Sequence, residues 1–262
     1  MDVFVAEEKF KNILSANGIS DASSLWNLSG EEAKKKTSAR GTEKILLDCE
    51  GTRKSFYLKR YNPIPLREIL KNAISFKPLF LDGALHEMEA LKIFERKGLP
   101  APKPVAAAKF PDGRTCVLTL GINNYVRASE FLSGEYNAGI SRRRAVIAKI
   151  AKIAGLMHLN NLAHQDLYLL HFFVVPSEND NVYLIDLQRL IVSKKLSERW
   201  IVKDLAQLLF SSQGILSNAE ILRLWILYGK FSGTGRNKST CKKVLSKFAR
   251  IRKLDKRRRK RD

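Results

Sequence analysis

Between His164 and Asp186 the chain sets out Asp166, Asp186 and two imidazoles in an order suited to moving a phosphoryl group. Asp166 closes a His164-Gln165-Asp166 triplet, His171 follows five positions later, and Asp186 ends Leu184-Ile185-Asp186. Phosphoryl transfer asks for one carboxylate to orient an acceptor hydroxyl and take its proton. It asks for another to hold the magnesium that neutralises the nucleotide phosphates. In protein kinases these places belong to the Asp of a His-Arg-Asp loop, an Asn five residues on, and the Asp of Asp-Phe-Gly. Asp166, His171 and Asp186 fill them here, although on this stretch alone Asp166 and Asp186 serve equally well as turn carboxylates beside a surface hairpin.

What must position them is a hairpin. Phe172-Phe173-Val174-Val175 and Val182-Tyr183-Leu184-Ile185 are short apolar, β-branched runs around the turn formers Pro176 to Asn181. An antiparallel pair returns the chain to its starting end, so Asp166, His171 and Asp186 are expected to converge. Earlier, the alternating run Ser55 to Arg60 puts Lys59 at the end of a strand, as in the Val-Ala-Ile-Lys strand whose lysine contacts the α- and β-phosphates of ATP. Gly83 to Lys97 then reads as a helix with an apolar stripe of Ala84, Leu85, Met88, Leu91 and Phe94. Of its two candidate partners for Lys59, Glu87 shares a face with Ala90, Leu91 and Phe94, whereas Glu89 faces Lys92, Ile93 and Arg96. Glu87 is preferred. Arg40 to Asp48 with Gly51 fits a first hairpin over the nucleotide, and Gly41 is its phosphate-side candidate, although a lone glycine makes a weak loop signature.

The runs Phe56 to Arg60, His86 to Glu89, Gly98 to Ala106, His164 to Phe173, Ile185 to Arg189 and Lys203 to Ala206 together resemble the Kdo/WaaP family of lipopolysaccharide core kinases, over roughly residues 38 to 212. The resemblance implies an α+β, two-lobed protein-kinase-like fold with an N-terminal antiparallel sheet lobe and a mainly helical C-terminal lobe. It also implies ATP and Mg2+ as cofactors, and a heptose or Kdo of the lipopolysaccharide inner core as acceptor. His171, where most kinases carry Asn, is also a family feature. Imidazole is a poor ligand for a hard cation, so three roles stay open: binding metal, orienting Asp166, or donating to a phosphate oxygen. Gln165 replaces the usual Arg, which removes a link to a phosphorylated activation loop, and Gln188 stands where the family often has His. His164 is expected to brace the loop backbone. Only 76 residues follow Asp186 and no Ala-Pro-Glu occurs, which favours a compact sugar or glycolipid acceptor over a protein.

With 45% hydrophobic and 28% charged residues in 262, the composition is that of a globular chain. There is no apolar run of membrane-spanning length and no basic-then-apolar leader pattern, so a soluble, unexported protein is expected. Cys49, Cys116 and Cys241 match no metal spacing and read as free thiols.

The net charge is +21, and residues 242 to 262 hold twelve Lys and Arg against two Asp. Val244, Leu245, Phe248, Ile251 and Leu254 suggest an amphipathic helix there, able to dock on a bilayer or to cover the C-terminal lobe. Because the acceptor implied is lipid-linked, the expected partner is the anionic inner-membrane surface of a Gram-negative bacterium, with the protein cytoplasmic and peripheral to it. A second basic cluster, Arg142 to Arg144, opens a helix expected over 142 to 162 with Ser141 as its cap and Val146, Ile150, Ile153 and Met157 as its core stripe. Either ligand binding or plain solvation accounts for that corner. The expected organisation is an extension over 1–37, a strand-rich lobe over 38–120, a helical lobe over 121–241 and a basic tail over 242–262. Residues 61 to 80, with Pro63, Pro65 and Pro78, read as a linker or substrate-facing insertion. Two rivals stand beside this reading: a kinase acting on another small molecule, and a nucleic-acid-binding pseudokinase. No nucleic acid is expected, since there is no zinc spacing and no RNA-binding aromatic motif.

Overall fold

The computed structural model describes residues 1–34, 40–63, 83–134, 136, 138–234 and 237–259. The chain divides into two compact units, Met1–Arg96 with Pro102–Asn123, and Lys97–Ala101 with Asn124–Asp262. The insertion expected between residues 61 and 80 lies, from residue 64 onward, outside the described residues.

The first unit is built on an antiparallel sheet. Its strands are β1 (Val3–Ala6), β2 (Glu31–Lys34), β3 (Arg40–Cys49), β4 (Thr52–Tyr61), β5 (Pro104–Lys109) and β6 (Thr115–Leu120), in the order β1-β5-β6-β4-β3-β2. Side chains alternate across a strand, and here the alternation separates two packing layers. Phe56 and Leu58 of β4, with Cys116 and Leu118 of β6, point to one side. There they meet Phe10, Leu14 of helix α1 (Lys11–Ala16), and Ala22 and Leu25 of helix α2 (Ala22–Trp26). Val117 and Ala107 point to the other side, against Ala84 and Met88 of helix α3 (Gly83–Arg96).

The first 28 residues belong to this unit, because β1 pairs with β5 and the residues after it fill one face of the sheet. Glu31–Lys34 is an edge strand pairing Glu31 with Lys44. Edge strands tolerate charge on both faces, so the run carries no alternation by which to read it. Gly41 departs from expectation. It lies inside β3, paired with Arg60, while the hairpin of β3 and β4 turns at Glu50 and Gly51, whose φ values are 57° and 78°. The glycine of that turn is Gly51, and Gly41 sits at the opposite end of the strand.

The second unit is mainly helical: α4 (Ala128–Ser133), α5 (Ile140–Leu159), α6 (Glu198–Ser211), α7 (Asn218–Ser232) and α8 (Lys238–Arg258). Five short strands join them: β7 (Val126–Arg127), β8 (Leu162–Ala163), β9 (Phe172–Val175), β10 (Asn181–Leu184) and β11 (Ile191–Val192). α5 begins after Gly139 rather than Ser141 and ends at Leu159, since Asn161 turns left-handed (φ 60°) and Leu162 starts a strand. Its stripe of Val146, Ile150, Ile153 and Met157 is buried as expected. α5 and α7 cross closely because residue 155 is glycine; a Cβ there would lie 2.7 Å from Phe231 Cβ.

α8 runs through the boundary expected at 241. Its cap is Asn237, whose side-chain oxygen accepts from Ser239 N (2.9 Å) and Thr240 N (3.1 Å). The five-residue stripe expected there is divided. Val244 is buried and Phe248 and Ile251 half-buried, whereas Leu245 and Leu254 are 51% and 57% exposed. At 100° per residue, nine positions put those two leucines on opposite sides of the helix, so α8 covers its own unit and presents no apolar face to a bilayer.

Candidate active site

The first unit contributes one tightly closed ion pair. Odd-numbered residues of β4 point toward α3, and Glu87 lies on the buried face of that helix with Ala84, Met88 and Leu91. Lys59 Nζ donates to Glu87 Oε1 at 2.5 Å, and the Tyr61 hydroxyl donates to Glu87 Oε2 at 2.6 Å. Glu87 is 2% exposed with both carboxylate oxygens engaged. Glu89, the rejected alternative, pairs at the surface with Arg96 (2.7 Å). Gly41 is one register position away, since Thr42 is the partner of Lys59 on β3.

In the second unit β9 and β10 form the expected hairpin, with Phe172 opposite Leu184. Its turn takes left-handed residues at Asn179 and Asp180 and is clamped by α5. Arg142 donates to both Asp180 oxygens (2.9 and 2.5 Å), and Lys149 donates to the Asp180 carbonyl (3.0 Å). Arg143 pairs with Glu220 at 2.9 Å. Two of the three arginines at that corner thus have structural partners, which offset the unfavourable placement of cations at a helix N-terminus.

At the other end of the hairpin, Ile185 N donates to the His171 carbonyl (2.9 Å), which closes the ladder and brings the three expected residues together. His171 Nδ1 lies 2.6 Å from the Asp166 carbonyl oxygen. A carbonyl only accepts, so Nδ1 carries the proton and Nε2 turns its lone pair toward Asp186 Oδ2, 3.9 Å away. Burial holds the His171 imidazole below its ordinary pKa, which favours this neutral form. Two acceptors facing each other at a distance too long for a hydrogen bond make a setting that a cation satisfies. Among the described residues no three His, Cys, Asp or Glu side chains gather to hold a metal by themselves. An ion at Asp186 would complete its shell from phosphate and water, which is the habit of magnesium.

His164 is a brace, as expected. It is fully buried, its Nε2 donates to the Ile185 carbonyl (2.9 Å), and its Nδ1 accepts from Asp166 N (3.3 Å). The Asp166 carboxylate has two neighbours: Arg189 Nη1 at 3.2 Å from Oδ2 and Gln207 Nε2 at 3.4 Å from Oδ1. Gln207 also donates to the Tyr168 hydroxyl (3.2 Å).

The loop stands on a residue to which the sequence reading gave no role. Asp204 of α6 is fully buried and accepts from His164 N (2.7 Å) and Gln165 N (2.8 Å), with His158 Nε2 at 3.3 Å. Gln165 is held with φ at 74°, a strained conformation for a non-glycine residue that costs on the order of 1–3 kcal/mol. The carboxylate that grips both flanking N–H groups offsets that strain. Lys203 beside it donates to Gln165 Oε1 (2.8 Å); burial lowers its pKa, while Asp166 and Asp204 act in the opposite direction. The available signal was a carboxylate set among the apolar residues Ile201, Val202, Leu205, Ala206 and Leu208 of a helix, where an acid needs buried partners.

The chain is similar to known proteins. The chain is 27% identical over 190 residues to the lipopolysaccharide core heptose(I) kinase WaaP of Escherichia coli K12, covering 67% of this chain and 70% of that protein. It is 26% identical over 236 residues to the heptose(I) kinase WaaP of Pseudomonas aeruginosa, covering 86% and 85%. A solved structure of WaaP in complex with acyl carrier protein superposes with a TM-score of 0.69 at 23% identity, over 95% of this chain and 97% of that one, which shows the kinase-like α+β fold. That protein partner was not among those expected from the sequence. The model of the lipopolysaccharide kinase (Kdo/WaaP) family matches residues 24–228, a span holding Lys59, Glu87, Asp166, His171, Asp186 and Asp204 alike, and the chain belongs to that family.

Proposed function

We propose that this kinase transfers the γ-phosphate of ATP to a hydroxyl of a heptose or Kdo in the lipopolysaccharide inner core. The observation that carries the reading is the cluster of Asp166, His171 and Asp186 at the base of one hairpin, braced by His164 and Asp204. Lys59, fixed by Glu87, would hold the α- and β-phosphates. Asp186, with His171 Nε2 beside it, would hold magnesium, whose contribution is to neutralise phosphate charge. Asp166 takes the proton of the sugar hydroxyl as that oxygen bonds to the γ-phosphorus and the bond to the β-phosphate oxygen breaks. Arg189 and Gln207 aim its carboxylate. The barrier of such a reaction is lowered mainly by positioning and charge neutralisation.

Membrane association is part of the same reading. No helix among the described residues is long and apolar enough to cross a bilayer, and the basic α8 would bring the protein to the anionic surface that carries the acceptor.

The test is phosphate transfer to dephosphorylated inner-core lipopolysaccharide, read by mass spectrometry for wild type and Asp166→Ala. A phosphate-sized gain on the heptose or Kdo fragment, absent in the variant, is expected. ATP binding without such a gain would discard the acceptor and leave the kinase fold standing.

A further inference from the structure

α6 and α8 pack side by side and leave between them a groove of about 500 Å³. Five cations line it: Arg199 from α6, and Lys242, Lys243, Lys247 and Arg250 from α8. Residues 243, 247 and 250 recur at helical spacing on one flank of α8, while Val244, Phe248 and Ile251 seat the helix. The groove's one carboxylate, Glu198, is already engaged, accepting from Lys243 Nζ (2.5 Å) and Thr240 Oγ1 (3.0 Å). Arg199 stacks on Trp200, 4.1 Å from the ring centroid. Among the described residues Lys242, Lys247 and Arg250 have no carboxylate partner, so like charges face one concavity uncompensated. An anion that fits would relieve that repulsion.

The groove lies beside the catalytic loop. The two share α6: Glu198, Arg199 and Val202 line the groove, while Lys203, Asp204 and Gln207 of the same helix hold Gln165, His164 and Asp166. Basic surface therefore runs from α8 toward Asp166 within one unit. Because the exposed leucines of α8 point to opposite sides, contact with a lipid surface there would be through headgroups, without insertion.

We infer that the α6–α8 groove is a binding site for the phosphate headgroup of an anionic membrane lipid, and that lipid bound there presents a lipid-linked acceptor to Asp166. The second half rests on the sugar-kinase reading; the first does not.

Full-length protein is mixed with phosphatidylcholine vesicles, with and without phosphatidic acid, and sedimented. Lys247→Ala/Arg250→Ala removes two groove charges, and Lys253→Ala/Lys256→Ala removes two from α8 outside it. The expected result is preference for the doped vesicles, weakened about tenfold, or about 1.4 kcal/mol, by the groove pair and less than twofold by the outside pair. Equal weakening by both pairs would assign binding to net charge and overturn the site. So would indifference of the wild type to phosphatidic acid. Since sedimentation needs no turnover, a groove effect without phosphate transfer would sink only the sugar-kinase reading. Phosphate transfer without a groove effect would sink only the groove.

Discussion

The two ends of the proposed chemistry are built in contrasting ways. The Lys59–Glu87 pair joins a strand to a helix, each in regular period, and every oxygen of Glu87 is taken. The Asp166 loop has no regular period and is held by contacts from α6, thirty-eight to forty-one residues away. It also leaves two buried amide atoms without a partner among the described residues, Gln165 Nε2 and Gln207 Oε1. Unpaired buried polar atoms are costly, and they cluster where a structure serves a ligand as well as its own stability. The Lys59–Glu87 pair is thus the sealed half and the Asp166 loop the unfinished half.

Substitutions can break that contrast, beginning with the strongest. Asp166→Asn should lower kcat about 10³-fold, within the span general-base groups contribute, with the melting temperature unchanged; steady-state kinetics beside a thermal melt would decide it, and equal loss of both would make Asp166 structural. Asp204→Ala reverses the pattern. It strands two buried N–H donors, and at roughly 1–3 kcal/mol per group should cost about 3 kcal/mol, a fall of about 10 °C in Tm for a chain of this size. Retention of Tm would remove Asp204 from its anchoring place.

Milder changes sharpen the comparison. Glu87→Gln keeps a hydrogen-bonding side chain but removes the charge that steadies Lys59, and should raise KM for ATP about tenfold; Glu89→Gln should leave it within about twofold, as an exposed pair contributes little. Should the two behave alike, the preference for Glu87 has no basis. The smallest effect concerns the thiols. Burial pushes Cys116 up to about 12, so it is protonated at every pH below that value, and Cys49 is buried too. In the folded protein at pH 8 only Cys241 should react promptly with a thiol reagent, and rapid reaction of two or more would show a looser first unit.

The same contrast explains what could be read in advance. Lys59, Glu87 and the β9–β10 hairpin follow from alternation and helical spacing, so residue order reveals them. Asp204, Arg189 and Gln207 matter through the chain's return in three dimensions, which local spacing does not encode. In α8 a stripe of five apolar residues does not say which of them meet a neighbour, and only Val244, Phe248 and Ile251 do. The turn of the first hairpin falls at Glu50 and Gly51, and Gly41 lies in the strand beside Thr42, the partner of Lys59.

The grip of Asp204 on His164 and Gln165 also orders events in time. Translation delivers the whole run from His164 to Asp186 well before residue 204, and until α6 emerges nothing buried is there to hold the two loop amides. A nascent or prematurely terminated chain therefore carries every residue of the motif yet cannot shape it. The enzyme becomes competent only late in its own synthesis, once α6 is in place to hold the loop.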